Sequence, residues 1–377
     1  MRTATARKWT INGDFVAIEP TGVARYAHEV TRALDALLLA QHPLARDLEL
    51  DLVVPRQPAA LQLRSIATRV VPEFGKPRLP QFWVQLQLPK YVAGGLLSFC
   101  NLAPLRLTRH IACIHDLLPW VAPESYSLPF RAAHKFVLPI LGRRARLITT
   151  VSQLSRQQLV RRRIAGEDKI VVTYNGADHA SRWAPERSSL QLGPRPFVLC
   201  LSRNQKHKNV ALAWRIASAL DAMGMDIYLA GQLDASVLTG FGPVPHNLRL
   251  LGRVTDNDLA KALAAARCFL LPSHIEGFGL PAVEAMVRGC PVLASTAPAL
   301  PEICGNGALY AEPDDASAWV AGIAKLSTDQ RLRDRTIAAG YARANAYSWR
   351  RIAETYLQLM LRVDQEQSLP KAALGKL

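Results

Sequence analysis

Apolar residues along this chain fall into two alternating rhythms. Short continuous apolar runs read as buried parallel strands, and between them apolar positions recur every three or four residues, as on helices that cover a sheet. In the first half the predicted strands are Trp9–Val16, Leu48–Val54, Thr68–Val71, Leu96–Cys100, Ile111–Asp116, Leu147–Val151 and Ile170–Tyr174. Helices are predicted from Val23, over Pro80–Val92 and over Phe130–Arg143. Thr21 suits the N-cap of the first of these, and Ser152 and Ser155 suit the helix after the sixth strand. Residues 179–196 lose both rhythms and carry Pro185, Pro194 and Pro196, which predicts a linker.

A second series follows. Phe197–Leu201, Ile227–Ala230, Leu248–Val254 and Cys268–Leu271 read as strands, with helices over Val210–Met223 and Leu259–Ala266. The last helix is predicted over Ser348–Val363, and residues 364–377 as a loose tail. The expected fold class is therefore α/β, with a first domain over 1–182, a linker over 183–196, a second domain over 197–347 and a terminal helix and tail over 348–377.

The most informative stretch runs from Ser273 to Met286. It follows a predicted strand and reads as loop, then helix. Gly277 and Gly279 permit unusual backbone angles and close approach of a ligand. Pro281 suits the first turn of a helix, Gly289 its end, and Pro291 prevents continuation. The free N–H groups of such a helix start form a natural phosphate site. Glu276 precedes the helix and Glu284 lies inside it, so two carboxylates frame that site. A second chemical signal follows the strand Phe197–Leu201, where Arg203 and Lys208 sit in the string S-R-N-Q-K-H-K-N. Two cations fixed past a strand end can stabilise negative charge that develops beside them. Alone, each group also reads as an ordinary solvated loop.

Asp256-Asn257-Asp258 has the D-x-D spacing of a metal motif, but it directly precedes a helix. Asp256 is better read as an N-cap and Asp258 as a favourable charge at the helix dipole. Asp314 and Asp315 precede Trp319 in the same manner, and no metal site is expected.

The string E-G-F-G-L-P-x-x-E-A-M followed by G-x-P-V resembles the Glu-x7-Glu signature of the retaining glycosyltransferase family 4, and with Arg203 and Lys208 the resemblance covers nearly the whole chain. It implies the GT-B fold: two Rossmann-like doubly wound domains facing across a cleft, with the C-terminal helix crossing back to the first domain and Trp349 as its wedge. It implies that Glu276 lies beside the donor sugar, that Glu284 binds the ribose hydroxyls, and that Arg203 and Lys208 bind the donor diphosphate. Gly277, Phe278, Gly279 and Leu280 would line the same site, with Arg253 and Val254 on the side of the base. N-G-D-F…T-G-V-A-R-Y resembles the first turn of bacterial polysaccharide-assembly members, which assigns Gly22 to a ligand-touching loop. I-H-D-L-x-P places His115 at the donor sugar, with Asp116 orienting it or capping the next turn. These strings look most like mannosyltransferases. The expected donor is GDP-mannose, with a UDP-hexose as the alternative, and the expected acceptor a lipid-linked or oligosaccharide chain of a bacterial surface polysaccharide. No cofactor is expected.

Composition adds three points. Six cysteines show no metal-ligand spacing and mostly fall in apolar runs, as in a reduced cytosolic protein. No apolar run approaches the ~20 residues of a membrane span, and Met1–Lys8 lacks the apolar segment of a signal peptide. The net charge of +16 is uneven: residues 1–190 hold 26 Lys+Arg against 14 Asp+Glu. That excess suggests an anionic partner. Nucleic-acid motifs are absent, so an anionic membrane surface fits better and no nucleic-acid partner is expected. The expected location is cytoplasmic, with peripheral attachment to the inner face of the cytoplasmic membrane as its extension.

Overall fold

The computed structural model describes residues 6–18, 21–58, 61–74, 80–201, 203–234 and 240–368. Glu19, Pro20, Ser202 and residues 369–377 of the expected tail lie outside them. The chain divides into two compact units.

The first unit comprises residues 1–117, 132–176 and 349–377. Its sheet contains β1 (Arg7–Asn12), β2 (Leu48–Val54), β3 (Ala67–Val70), β4 (Gly95–Ser98), β5 (His110–Cys113), β6 (Leu147–Thr150) and β7 (Ile170–Val172). The strand order is β3-β2-β1-β4-β5-β6-β7, with every pair parallel. Ile11 pairs with Leu52 on one side and Leu97 on the other, so β1 is the central strand where the order reverses. Ligands bind at the carboxyl ends of strands at such a switch point. Helix α1 (Gly22–Leu39) follows β1, and Thr21 caps it by accepting from the Ala24 N–H. Helix α2 is Leu128–Arg144 and α3 is Gln153–Arg161.

Three expectations are corrected here. β1 stops at Asn12 rather than Val16, because the Asn12 side chain accepts from the Asp14 N–H and Asp14–Ala17 turns as a 3-10 helix. The helix expected over Pro80–Val92 is broken into a single turn, a π-helical turn over Trp83–Gln87 and a 3-10 turn over Leu88–Tyr91. Pro89 lacks a backbone donor there, and two side chains pin the segment to the preceding loop: the Trp83 indole donates to Val71 O, and Gln87 bridges the Phe74 N–H and Pro72 O. Ser152 alone caps α3; Ser155 supplies the N–H that Ser152 receives.

The second unit comprises Leu118–Arg131 and Ala177–Ser348. The chain enters it for good at Ala177, ahead of the proline-bearing segment, because the Ala177 N–H already bonds to Tyr347 O within this unit. Its sheet holds β8 (Phe197–Leu201), β9 (Asp226–Ala230), β10 (Leu248–Gly252), β11 (Phe269–Leu271), β12 (Val292–Ser295) and β13 (Ala308–Ala311). The order is β10-β9-β8-β11-β12-β13, all parallel, with the reversal between β8 and β11. Its longer helices among the described residues are α4 (Ala211–Ala222), α5 (Asp256–Ala265), α6 (Leu280–Val287), α7 (Ala316–Thr328) and α8 (Gln330–Ala344). Trp319, Ile323 and Leu326 of α7 and Leu212, Ile216 and Leu220 of α4 bury their apolar faces against one side of the sheet.

The terminal helix α9 (Trp349–Ser368) belongs to the first unit and lies along α1. Trp349 is its wedge. The indole meets the Tyr26 ring edge-on at 5.6 Å and lies where a Cβ on Gly176 would be, 2.5 Å away. The expected tail begins too early, since Asp364 is a helical anchor. It accepts from Arg7 at 2.7 Å, from the Trp9 indole at 3.0 Å and from Arg109 at 2.5 Å, all on the first unit. Asp364→Ala leaves two partly buried guanidinium groups without their anion. The expected cost is about 3 kcal/mol, read as a lower melting temperature. An unchanged melt would mean that solvent already screens the cluster.

Candidate active site

The two loops at the switch point of the second unit are stitched together by the backbone. Asn209 adopts a left-handed conformation with φ of +52°, which asparagine tolerates better than most residues. From there its side-chain Nδ2 donates to Pro272 O at 3.1 Å and Pro313 O at 2.7 Å. Its Oδ1 accepts from Arg215 Nη2 at 3.0 Å. The His274 N–H donates to His207 O at 2.8 Å. The loop after β8 is thereby tied to the loop after β11.

That stitch brings Lys208 to Glu276. The ammonium donates to Oε1 at 2.7 Å, and the Ser273 hydroxyl donates to the same oxygen at 2.7 Å. Ser273 is held in turn, its carbonyl accepting from Ser295 Oγ at the end of β12. Glu276 is nearly buried, so these two bonds are charge-assisted and only lightly screened. His207 packs beside them. Its Nδ1 meets Ser125 Oγ at 2.9 Å, its ring stacks near Tyr126, and burial first, then the Lys208 charge, push its pKa down to about 4. Arg203 is exposed on the same loop.

Glu276 leads into α6. Gly279 is the N-cap in the left-handed region at φ +87°, and a Cβ there would lie 2.4 Å from the Leu300 side chain. Only glycine fits both constraints. Gly277 is buried and is not among the positive-φ residues, so the unusual backbone angle expected there is found only at Gly279. Phe278 turns inward and meets Tyr347 edge-on at 5.3 Å, which leaves its backbone rather than its ring for the site. Leu280 is buried. Glu284 is also buried, and its Oε1 lies 2.8 Å from Nε2 of His179. Arg253 and Val254 follow the carboxyl end of β10, the edge strand, and Arg253 is exposed.

The first unit holds the other two expected residues. Gly22 opens α1 with nothing within 4 Å of where its Cβ would be. His115 follows β5 at the carboxyl end of the sheet, and its ring is buried. Its Nε2 donates to Phe99 O at 2.8 Å, its N–H to Asn101 Oδ1 at 2.8 Å, and Tyr26 meets the ring edge-on at 4.9 Å. The Phe99 carbonyl, a partner invisible in the sequence, holds this ring. Burial pushes its pKa down to about 4, against a weaker opposing pull from that carbonyl.

The D-x-D triplet is structural, though not with Asp256 as the cap. Thr255 is the N-cap of α5 in a capping box with Asp258. Asn257 accepts from the Ala184 N–H and Asp258 from Ser188 Oγ, which fastens the proline-bearing segment to α5. The Ser188 bond leads the effects that hold the Asp258 carboxyl at about 2. Asp315 caps α7 as expected. Among the described residues, no group of three or more His, Cys, Asp or Glu is arranged to hold a metal ion.

Residues 182–343 match the family described as glycosyl transferases group 1. The O-antigen chain mannosyltransferase B of Escherichia coli is 33% identical over 284 residues, covering 71% of this chain and 74% of that one. The chain belongs to this glycosyltransferase family. The O-antigen chain mannosyltransferase RfbU of Salmonella typhimurium is 25% identical over 217 residues, covering 56% of this chain and 59% of that one. The fold is shared with HepE of Anabaena, solved in complex with UDP and glucose, at a TM-score of 0.66 and 17% identity over 97% of this chain and 100% of that one. As a group 1 glycosyltransferase, the protein carries the pair of doubly wound parallel sheets expected of GT-B enzymes.

Sequence reasoning missed Ser273, Asn209 and His179. Ser273 stands three residues before Glu276, an ordinary side-chain spacing in a loop, and only its hydroxyl direction reveals the role. His179 is more than a hundred residues from its partner, and no local pattern could pair them.

Two buried histidines of the first unit make its stability sensitive to acid. Burial lowers His110 to about 3 and His115 to about 4, from 6.5 in the open chain. Below pH 6.5 the unfolded chain therefore binds protons that the folded chain refuses. Their contribution is complete above 6.5 and is lost as pH falls from 6.5 toward 4 for His115 and toward 3 for His110. The melting temperature is expected to drop across that window, and His110→Gln combined with His115→Gln to flatten the drop. A double variant with the full wild-type slope would assign the effect to other groups.

Proposed function

We propose that the protein is a retaining hexosyltransferase that moves mannose from GDP-mannose to a lipid-linked or growing bacterial surface polysaccharide of the O-antigen type. The observation that carries this reading is the Lys208–Glu276–Ser273 cluster at the switch point, with Glu284 further along the same loop–helix unit. The named mannosyltransferase relatives supply the sugar class and the acceptor class. A UDP-hexose is the second reading, favoured by the UDP and glucose bound in the structure of HepE.

In the proposed reaction the second unit holds the donor and the first the acceptor. The bond from the anomeric carbon to the diphosphate oxygen breaks, and the acceptor oxygen bonds to that carbon on the same face. The acceptor proton passes to the departing phosphate. Lys208 and Arg203 stabilise the charge that develops there, which is strongest as the bond breaks. Glu276 keeps Lys208 in place before the donor arrives and lies beside the sugar afterwards. Glu284 takes the ribose hydroxyls. Gly22 and His115 contribute from the first unit, His115 as a neutral ring. The cations are side chains and the D-x-D carboxylates are engaged at α5, so the reaction is proposed to need no metal or other cofactor.

Purified protein is expected to be stabilised by GDP and to hydrolyse GDP-mannose slowly, with the rate unchanged by EDTA. Lys208→Ala is expected to lower kcat by about 10²–10³-fold. Selective response to UDP would replace the donor and keep the site. Near-normal turnover by Lys208→Ala would refute the role given to the cluster.

The protein is further proposed to work on the inner face of the cytoplasmic membrane. No helix among the described residues is long and apolar enough to cross a membrane. Phe74 and, on the broken helix over 80–91, Phe82, Leu86 and Tyr91 are nevertheless exposed in the basic first unit, with Lys90 exposed too. Apolar side chains among cations suit the surface of an anionic bilayer. Binding to anionic vesicles at low salt, weakened by salt and by Phe82→Asp with Leu86→Asp, is the expected outcome. Equal sedimentation of both forms with neutral and anionic vesicles would argue against it.

A further inference from the structure

Glu284 is held from outside its own loop and helix. Its partner, His179, lies in the 3-10 turn Asp178–Arg182, just after the chain enters the second unit. The two side chains are 1% and 7% exposed, and Nε2 to Oε1 is 2.8 Å. A carboxylate can only accept, so His179 Nε2 carries the hydrogen and donates it. The turn is fastened to α6 by another contact, Arg288 Nη1 donating to Ala180 O at 3.4 Å. The His179 ring is itself braced, edge-on against Trp183 at 5.6 Å. The aim of Glu284 is therefore set within the second unit before any ligand arrives.

We propose that His179 is a positioning residue for the donor nucleotide. It holds the Glu284 carboxylate in the orientation that receives the ribose hydroxyls, and it makes the turn after Ala177 part of the ribose subsite. This inference rests on the reading of the protein as a nucleotide-sugar transferase. Without His179 the Glu284 carboxylate loses the 2.8 Å bond that directs its Oε1. A hydroxyl bound to it would then lose directional hydrogen bonding, whereas base and diphosphate contacts would be untouched. The consequence is specific: loss of His179 weakens binding through the ribose alone.

The test is calorimetric titration of wild type, His179→Ala, His179→Gln and His179→Phe with GDP, UDP and their 2′,3′-dideoxy analogues. For the nucleotide that wild type binds, the dideoxy form is expected to bind about tenfold more weakly, the scale of one charge-assisted hydrogen bond. His179→Ala is expected to weaken the ribose form about tenfold and the dideoxy form less than about twofold, so the preference for ribose disappears. His179→Gln, which keeps a donor, is expected to recover part of that preference, and His179→Phe, which keeps only bulk, none. If the alanine variant does not fold, the glutamine and phenylalanine variants decide the matter by the same comparison. Equal weakening of both nucleotide forms, or unchanged preference in alanine and phenylalanine variants, overturns the role of His179 while leaving the donor site intact. Binding of neither GDP nor UDP by wild type overturns the underlying reading instead.

Discussion

The candidate site depends on one ion pair. Lys208 is a partly buried cation and Glu276 a nearly buried carboxylate. Either charge alone in that position would carry a desolvation penalty with no compensation. Together, with Ser273 satisfying the same oxygen, they form a preset cluster. Much of the surrounding structure serves to keep the pair in register. Asn209 accepts a left-handed backbone to tie the two loops, Gly279 turns the chain into α6, and Ser295 fixes Ser273 from the next strand. A site that stabilises developing charge gains from such preorganisation, because its groups need not reorganise during the reaction.

The first unit solves a related problem by different means. His115 stands on a shelf of hydroxyls and rings rather than charges. Tyr26, edge-on to it, bonds to Thr173 and to Tyr356 of α9 at 2.9 Å each, and Tyr356 meets Thr149 at 2.7 Å. Burial raises both tyrosines well above their ordinary pKa, so the network stays neutral. The terminal helix therefore closes the floor beneath the His115 ring. Asp364 anchors its far end to β1 and Arg109, and Trp349 its near end to Tyr26. A helix from the very end of the chain is a working part of the first sheet's carboxyl edge.

Where sequence reading succeeded and failed follows from the range of the forces involved. The strands, their parallel character and the loop–helix unit around Glu276 and Glu284 were legible, because burial on both faces writes a continuous apolar run and a helix start writes its cap, proline and glycine locally. Thr21 was read correctly as a cap for that reason, and of the pair Asp314 and Asp315 the second proved to be one. The errors lie where a specific side-chain hydrogen bond overrides the apolar pattern. Asn12 ends β1 by accepting from Asp14 two residues on, and Trp83 and Gln87 break a helix by reaching back to Val71, Pro72 and Phe74. Asp364 looked like the start of a tail because its three donors lie more than two hundred residues away.

The sequence by itself determined the family, the two sheets and which charged groups stand at the strand ends of the candidate site. Residue type and short spacing decide these through helix capping, glycine geometry and strand burial, all of which act over a few residues. Only the tertiary structure decided that Lys208 meets Glu276 through one oxygen shared with Ser273, that His179 meets Glu284, and that Phe99 rather than a neighbouring carboxylate holds His115. Hydrogen bonds are short and directional. Their partners are chosen by where the backbone places two atoms, and in this chain those atoms are brought together by sheets whose order differs from the order of the sequence.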